Sequence, residues 1–127
     1  MDRQNTIQQY FETLKHLNVE KVVEFFTPSG MINTPLYGTR TIASHYEELF
    51  SKTKEMEFTV KGIYQNVENP DSMTAHVEFT WTLNDGSVQQ GDLVDLFHFA
   101  PNSDKIESLQ IVIDTFQIKP ALAKAGS

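Results

Sequence analysis

After Thr53 the spacing of apolar residues changes from about three and a half to two, and it holds that shorter period almost to the end of the chain. Four long segments carry it with partial or clear alternation: Glu57 to Val67, Ser72 to Leu83, Ser87 to Phe99 and Lys105 to Ile118. They are joined by Asn69-Pro70-Asp71, Asn84-Asp85-Gly86 and the stretch from Ala100 to Asp104. Links this short favour antiparallel neighbours, because a parallel pair needs a crossover of a dozen residues or more. The Asn-Asp-Gly turn is the strongest local hairpin signal, since its glycine accepts a positive φ without steric cost.

The part before Thr53 has the other period. Ile7, Tyr10, Phe11, Leu14, Leu17, Val22, Val23 and Phe26 recur at three and four, the stripe of an amphipathic helix, with an interruption at Leu17-Asn18. Asn is a good N-cap, so the spacing predicts two helices, about 4–17 and 19–26, ended by Pro28, Ser29 and Gly30. Met31 to Thr34 reads as a short strand and Pro35 to Thr39 as a turn. Thr41 to Thr53 reads as a third helix with Ile42, Tyr46, Leu49 and Phe50 on one side. Helices followed by a run of antiparallel strands describe an α+β domain spanning 1–127, with N-terminal helices packed on a curved, mostly antiparallel sheet. The tail 119–127, with no aromatic residue to tie it down, is expected to fray or to cap the last strand.

Alternation also assigns faces. Val77, Phe79, Trp81 and Leu83 share one face and His76, Glu78, Thr80 and Thr82 the other. In the next strand Leu93, Asp95, Phe97 and Phe99 alternate with Val94, Leu96 and His98; in the last, Leu109, Ile111 and Ile113 alternate with Gln110, Val112 and Asp114. The apolar residues Val94, Leu96 and Val112 on the outer face predict a homodimer through that face. His76, His98, Asp92 and Asp114 are expected on the outside by the same phase. His45, near the start of the third helix, is a candidate base that could approach the cavity mouth if chemistry occurs, against the expected reading of a solvated helix histidine. Tyr37 reads as a loop residue and Tyr46 as a helix-packing residue, both able to rim a pocket mouth.

Composition narrows the chemistry. The chain has 127 residues, a net charge of −7 and no cysteine. Thiol nucleophiles, thiolate metal sites and disulfides are therefore absent, and the acidic balance with no basic run argues against nucleic acid or an anionic membrane. Histidines at 16, 45, 76 and 98 form no ligand spacing, so no metal is expected, and no glycine-rich cradle or GxSxG elbow points to a nucleotide cofactor or a serine nucleophile. No cofactor is expected. The first residues carry no apolar run, which makes a cytoplasmic location the default expectation.

The order of elements resembles the cone-shaped, cystatin-like α+β fold of nuclear transport factor 2 (NTF2-like). Ketosteroid isomerases, polyketide cyclases of the SnoaL type, limonene epoxide hydrolase and many small binding proteins share that fold. The resemblance covers about Thr6 to Ile118. It rests on element order, on Asn33-Thr34-Pro35 to Gly38 leading into a helix, and on the closing segments from Leu93 to Phe99 and from Lys105 to Asp114. Against the ketosteroid isomerases the match runs without a gap from Tyr10 to Pro35. The resemblance implies that Tyr10 and Asp95 stand where those enzymes keep the tyrosine and aspartic acid of their oxyanion hole. Thr34 stands where they keep the proton-shuttling carboxylate, and a threonine hydroxyl cannot replace it as a base. Ile111 stands where the epoxide hydrolase has an acid.

Side-chain physics bears on the same residues. Asp95 shares its face with Leu93, Phe97 and Phe99, so it points into an apolar interior. Desolvation there raises its pKa and favours the neutral, proton-donating acid. With the Tyr10 phenol it can hold a ligand carbonyl or enolate; alternatively it bonds to Tyr10 or the backbone and closes a core defect. The expected lining is Phe11, Leu14, Ile32, Thr34, Phe50, Phe58, Val60, Phe79, Trp81, Phe97, Leu109, Ile111 and Ile113 around Tyr10 and Asp95. The expected guest is a small hydrophobic molecule with a carbonyl or hydroxyl group. Three functions stay open: a small-molecule binding or cyclase-like protein; a cofactor-free isomerase, cyclase or hydrolase using Tyr10 and Asp95 as donors; and a protein-interaction or scaffold domain with a closed cone.

Overall fold

Asp2 accepts a hydrogen bond from the Asn5 amide and caps α1 (Arg3–Leu14), whose Ile7, Tyr10, Phe11 and Leu14 are buried. Leu17 then takes a positive φ of 53°, which breaks the helical path. Asn18 caps α2 (Val19–Val23) through the Lys21 amide. These contacts belong to a computed structural model that describes residues 2–125; Met1, Gly126 and Ser127, and what was expected of them, lie outside the described residues.

The first strand is longer than the spacing predicts: β1 covers Phe26–Thr34, including Pro28 and Gly30. The expected turn after it contains the start of a short strand, β2 (Gly38–Thr41), antiparallel to β1. Thr41 caps α3 (Ile42–Ser51) by accepting from the Ser44 amide. The long strands β3 (Thr53–Gln65), β4 (Ser72–Leu83), β5 (Val88–Phe99) and β6 (Ile106–Ile113) follow, consecutive neighbours being antiparallel. The Asn-Asp-Gly turn forms as predicted, with Gly86 at φ 88° and the Leu83 amide donating to the Ser87 carbonyl at 2.9 Å.

The six strands lie in the order β2-β1-β6-β5-β4-β3, and β1 joins β6 in parallel. That one parallel pair seats β1 between the edge strand β2 and β6, where Ile32 faces Leu109 across the ladder. Register shifts between Thr53 and Glu55 and between Val60 and Gly62 bend β3, as extra residues in one strand do. Helices α1 and α3 cover one face. The accessible surface is 6982 Å², close to the roughly 6,900 Å² expected of a compact chain of this mass.

The end of the chain departs from expectation. Instead of a frayed tail it forms α4 (Ile118–Ala125), with Ile118 and Leu122 buried one turn apart. Pro120 falls in the first turn, where its missing N–H has no helical partner to lose.

Candidate functional site

Helix α1, helix α3 and the inner face of the sheet enclose a partly open cavity of about 60 Å³. Leu36, Phe58, Ile111 and Ile113 of its wall are half-buried. Most of the lining is hydrocarbon: Phe11, Leu14, Leu49, Met56, Phe79, Trp81 and Leu93 complete it. The polar side chains at the cavity are Tyr10, Thr34, His45, Tyr46 and Asp95, together with the indole of Trp81.

Asp95 enters from β5, facing Ala75 on β4 and Ile111 on β6. It is 1% exposed, and its Oδ1 has no hydrogen-bond partner among the described residues. Burial alone drives its pKa well above the ordinary carboxylate value, so the neutral acid is favoured. The alternative in which Asp95 bonds to Tyr10 is not what the hydroxyl does. The Tyr10 hydroxyl is instead hydrogen-bonded to that of Tyr46 on α3. Burial, first, and then the neighbouring Tyr46 and Asp95 push the Tyr10 phenol up; burial does the same at Tyr46. Both phenols thus stay protonated. Whichever donates to the other, the pair keeps one O–H proton for a third partner.

Thr34 reaches the cavity, yet its hydroxyl oxygen accepts from the amides of Leu36 at 3.2 Å and Tyr37 at 3.1 Å. It closes the turn between β1 and β2. His45 reverses its expectation: it is 1% exposed, and neither ring nitrogen has a hydrogen-bond partner among the described residues. Burial, helped by the Arg40 guanidinium and opposed by Glu48, lowers its pKa to about 4. The imidazole is therefore neutral at pH 7. Its ring lies 4.6 Å from that of Tyr46 and 5.5 Å from that of Tyr37, both edge-on. The Tyr37 hydroxyl is likewise buried and unpartnered, and burial lifts its pKa to about 12.

Of the residues expected to line the pocket, five stand outside its lining. Phe97 packs edge-on against Tyr10 at 5.7 Å and Phe11 at 6.2 Å, and Phe50 tilts against Tyr46 at 5.1 Å. Ile32, Val60 and Leu109 belong to the surrounding core. Tyr46 and His45 are what the periodicity underrates. Tyr46 sits on the apolar stripe of α3 and reads as packing, while His45 lies beside that stripe and is buried against Tyr37 of the turn. His76 and His98 do face outward, beside Asp92 at 2.7 Å and Glu107 at 3.6 Å respectively. No group of three or more His, Asp or Glu among the described residues is arranged to hold a metal ion, and no helix among them is long and apolar enough to cross a membrane.

A domain with helices on one face of a six-stranded sheet and polar groups at an apolar cavity is the architecture of the NTF2-like and ketosteroid isomerase-like fold. Residues 7–108 match the SnoaL-like domain, and the chain belongs to that family. Similar solved structures include the epoxide hydrolase/cyclase-like enzyme SalBIII of salinomycin pyran ring formation, with a TM-score of 0.73 and 17% identity over 86% of this chain and 88% of that one. TerC co-crystallised with polyporic acid has a TM-score of 0.76 and 14% identity over 95% and 98% of the two chains. A hypothetical protein with a ketosteroid isomerase-like fold from Catenulispora acidiphila, in complex with trimethylamine, has a TM-score of 0.76 and 13% identity over 95% and 92%. At these identities the likeness is one of fold. No curated protein matches the sequence.

Proposed function

We propose that the protein binds a small hydrophobic molecule carrying a carbonyl or hydroxyl oxygen, held by the Tyr10–Tyr46 pair and the neutral acid of Asp95. The observation that carries this reading is the Asp95 Oδ1, buried without a partner in an apolar cavity beside two bonded phenols. An unsatisfied buried polar atom costs about 1–3 kcal/mol, a cost that a ligand oxygen placed against it removes. Donors fixed in an apolar setting also favour an oxygen on which negative charge develops, which suits an isomerase, cyclase or hydrolase as well as a binding protein.

The test uses 4-fluorophenol as probe, followed by fluorine NMR. Asp95→Asn keeps a neutral donor at the site and is expected to change the affinity by less than about tenfold, whereas Asp95→Leu removes the donor and is expected to weaken it by about tenfold or more. Equal binding by the native protein and Asp95→Leu sinks the reading.

A second proposal concerns the opposite face of the sheet. Val94 faces Val112 across the β5–β6 ladder, with Val112 50% and Leu96 37% exposed. A twofold contact repeats one patch on both subunits, and we assign this apolar one to a second copy of this chain. Leu96→Glu with Val112→Glu is expected to sediment as a monomer where the native protein sediments as a dimer; identical sedimentation of the two refutes the contact.

A further inference from the structure

We propose that the ligand extends from the cone into a second hollow, a groove at the start of β5, and is therefore an elongated molecule with two ends. Its apolar head bears the carbonyl or hydroxyl oxygen, and its uncharged tail bears an amide or hydroxyl group. This rests on the ligand-binding reading above and adds the tail and its site. The observation that carries it is Gly91, on the inner face of β5 opposite Phe79 of β4. Three ordinary reasons for a glycine in a strand are absent there. Its φ is not positive; the glycines that use that freedom are Gly38 and Gly86. The β4–β5 register runs through it without a bulge. A side chain also fits, since a Cβ at this position meets the Phe79 ring at 3.5 Å, an ordinary contact. What remains is the close approach of a group from outside the chain, for which strand glycines are also kept.

The missing side chain opens onto a groove of about 260 Å³, between the start of β5, the end of β6 and the segment leading into α4. Phe79 and Ile113 line both this groove and the cone, so a ligand that spans the two passes between them. Asp95, Leu93 and Gly91 follow one another along the inner face of β5, the first two at the cone and the third at the groove. At 3.3–3.4 Å per residue the four steps from Asp95 to Gly91 cover about 13 Å, which sets the length of a ligand that serves both. The polar lining decides the tail. Asp92 is already bonded to His76 at 2.7 Å, and Asp114 accepts from the Phe116 amide at 3.0 Å. The side-chain amides of Gln89, Gln90 and Gln117 have no hydrogen-bond partner among the described residues, and each can both donate and accept. With two carboxylates and no basic side chain in the lining, an anionic tail is repelled, while an amide or hydroxyl finds partners of both kinds. The Phe116 ring, 84% exposed at the same rim, gains cover from the tail's hydrocarbon.

The probes are N-acetyltyramine and 4-ethylphenol, which share the phenol head and the ethyl group and differ in the acetamide. Each is read by its displacement of 4-fluorophenol in fluorine NMR. N-acetyltyramine is expected to bind the native protein about tenfold more tightly than 4-ethylphenol. Gly91→Val, which fills the groove, is expected to remove that advantage while 4-ethylphenol stays within about twofold of its native affinity. If N-acetyltyramine has no advantage, or keeps it in Gly91→Val, the tail site fails and the binding reading stands. If 4-fluorophenol does not bind the native protein, or binds Asp95→Leu equally, both fail together. Should Gly91→Val not fold, the side-chain amide resonances of Gln89 in the native protein decide. N-acetyltyramine must shift them and 4-ethylphenol leave them in place; resonances that stay unmoved, or move equally with both, overturn the proposal.

Discussion

Arg3 and Asp95 are both residues of charged type drawn into the apolar body of the protein, and their surroundings are opposite. The Arg3 guanidinium donates to the carbonyls of Ser103, Pro70 and Ala100 at 2.8, 3.1 and 3.0 Å, pairs with Asp71 at 3.0 Å and lies over the Phe99 ring at 5.0 Å. It staples the start of α1 to two loops at one end of the sheet. Asp95 lies four residues from Phe99 on the same strand and has no partner for Oδ1. The contrast extends to the cavity wall, where the Trp81 indole donates to Thr53 at 2.8 Å and Thr53 to the Leu49 carbonyl at 2.7 Å. This sequence can satisfy a buried polar group when the group serves stability. Asp95 and His45 are left without a partner among the described residues, as are the hydroxyls of Thr27 and Tyr37, and the proposed ligand would supply the one at Asp95.

The comparison can be broken or sharpened by measurement. The largest effect is expected from acid titration of His45. Its folded pKa of about 4 lies below the unfolded value near 6.5, so the stability it contributes is present above about pH 6.5 and is lost as the pH falls toward 4. Roughly 3 kcal/mol is at stake. Unfolding in urea across this range should show the native protein losing about that much more than His45→Gln; parallel curves mean that the imidazole finds a partner or solvent.

Next comes Arg3→Met, which removes every bond of the staple and is expected to cost about 2–3 kcal/mol, seen as a lower urea midpoint with an unchanged slope. A loss below about 0.5 kcal/mol would place Arg3 with ordinary surface ion pairs and erase the contrast. The smallest effect has the opposite sign. Asp95→Leu is expected to stabilise the protein by about 1 kcal/mol at pH 7 while weakening probe binding. The folded pKa of Asp95 is raised, so its contribution is fully present below the unfolded value near 3.9 and declines as the pH rises toward the folded one. The gain from Asp95→Leu should therefore grow from pH 4 to pH 7. Destabilisation by this variant at neutral pH would show a satisfied structural acid instead.

Much of this was legible in the chain. Alternation in β5 placed Asp95 among Leu93, Phe97 and Phe99 on the buried face, and Asn18 and the Asn84-Asp85-Gly86 turn act where their local chemistry predicts. These are properties of period and turn geometry, which neighbouring residues determine. The helix at Ile118–Ala125 was also within reach: Ile118 and Leu122 are four apart in an alanine-rich stretch, a signal that Pro120 obscured.

Other features have no local signature. The parallel pairing of β1 with β6 joins residues about eighty positions apart, and register at that distance is set by the assembled faces. Tyr46 could be read as a packing residue until Tyr10, thirty-six residues away, was brought to its hydroxyl. His45 lies at the margin of its helix's apolar stripe, where solvation or burial depends on whether another element covers it, and here the Tyr37 turn does. Local chemistry determined the elements, their faces and the inward acid. Only the tertiary structure decided which polar groups meet and which are left without a partner, because hydrogen-bond satisfaction in a core depends on groups from several elements at once.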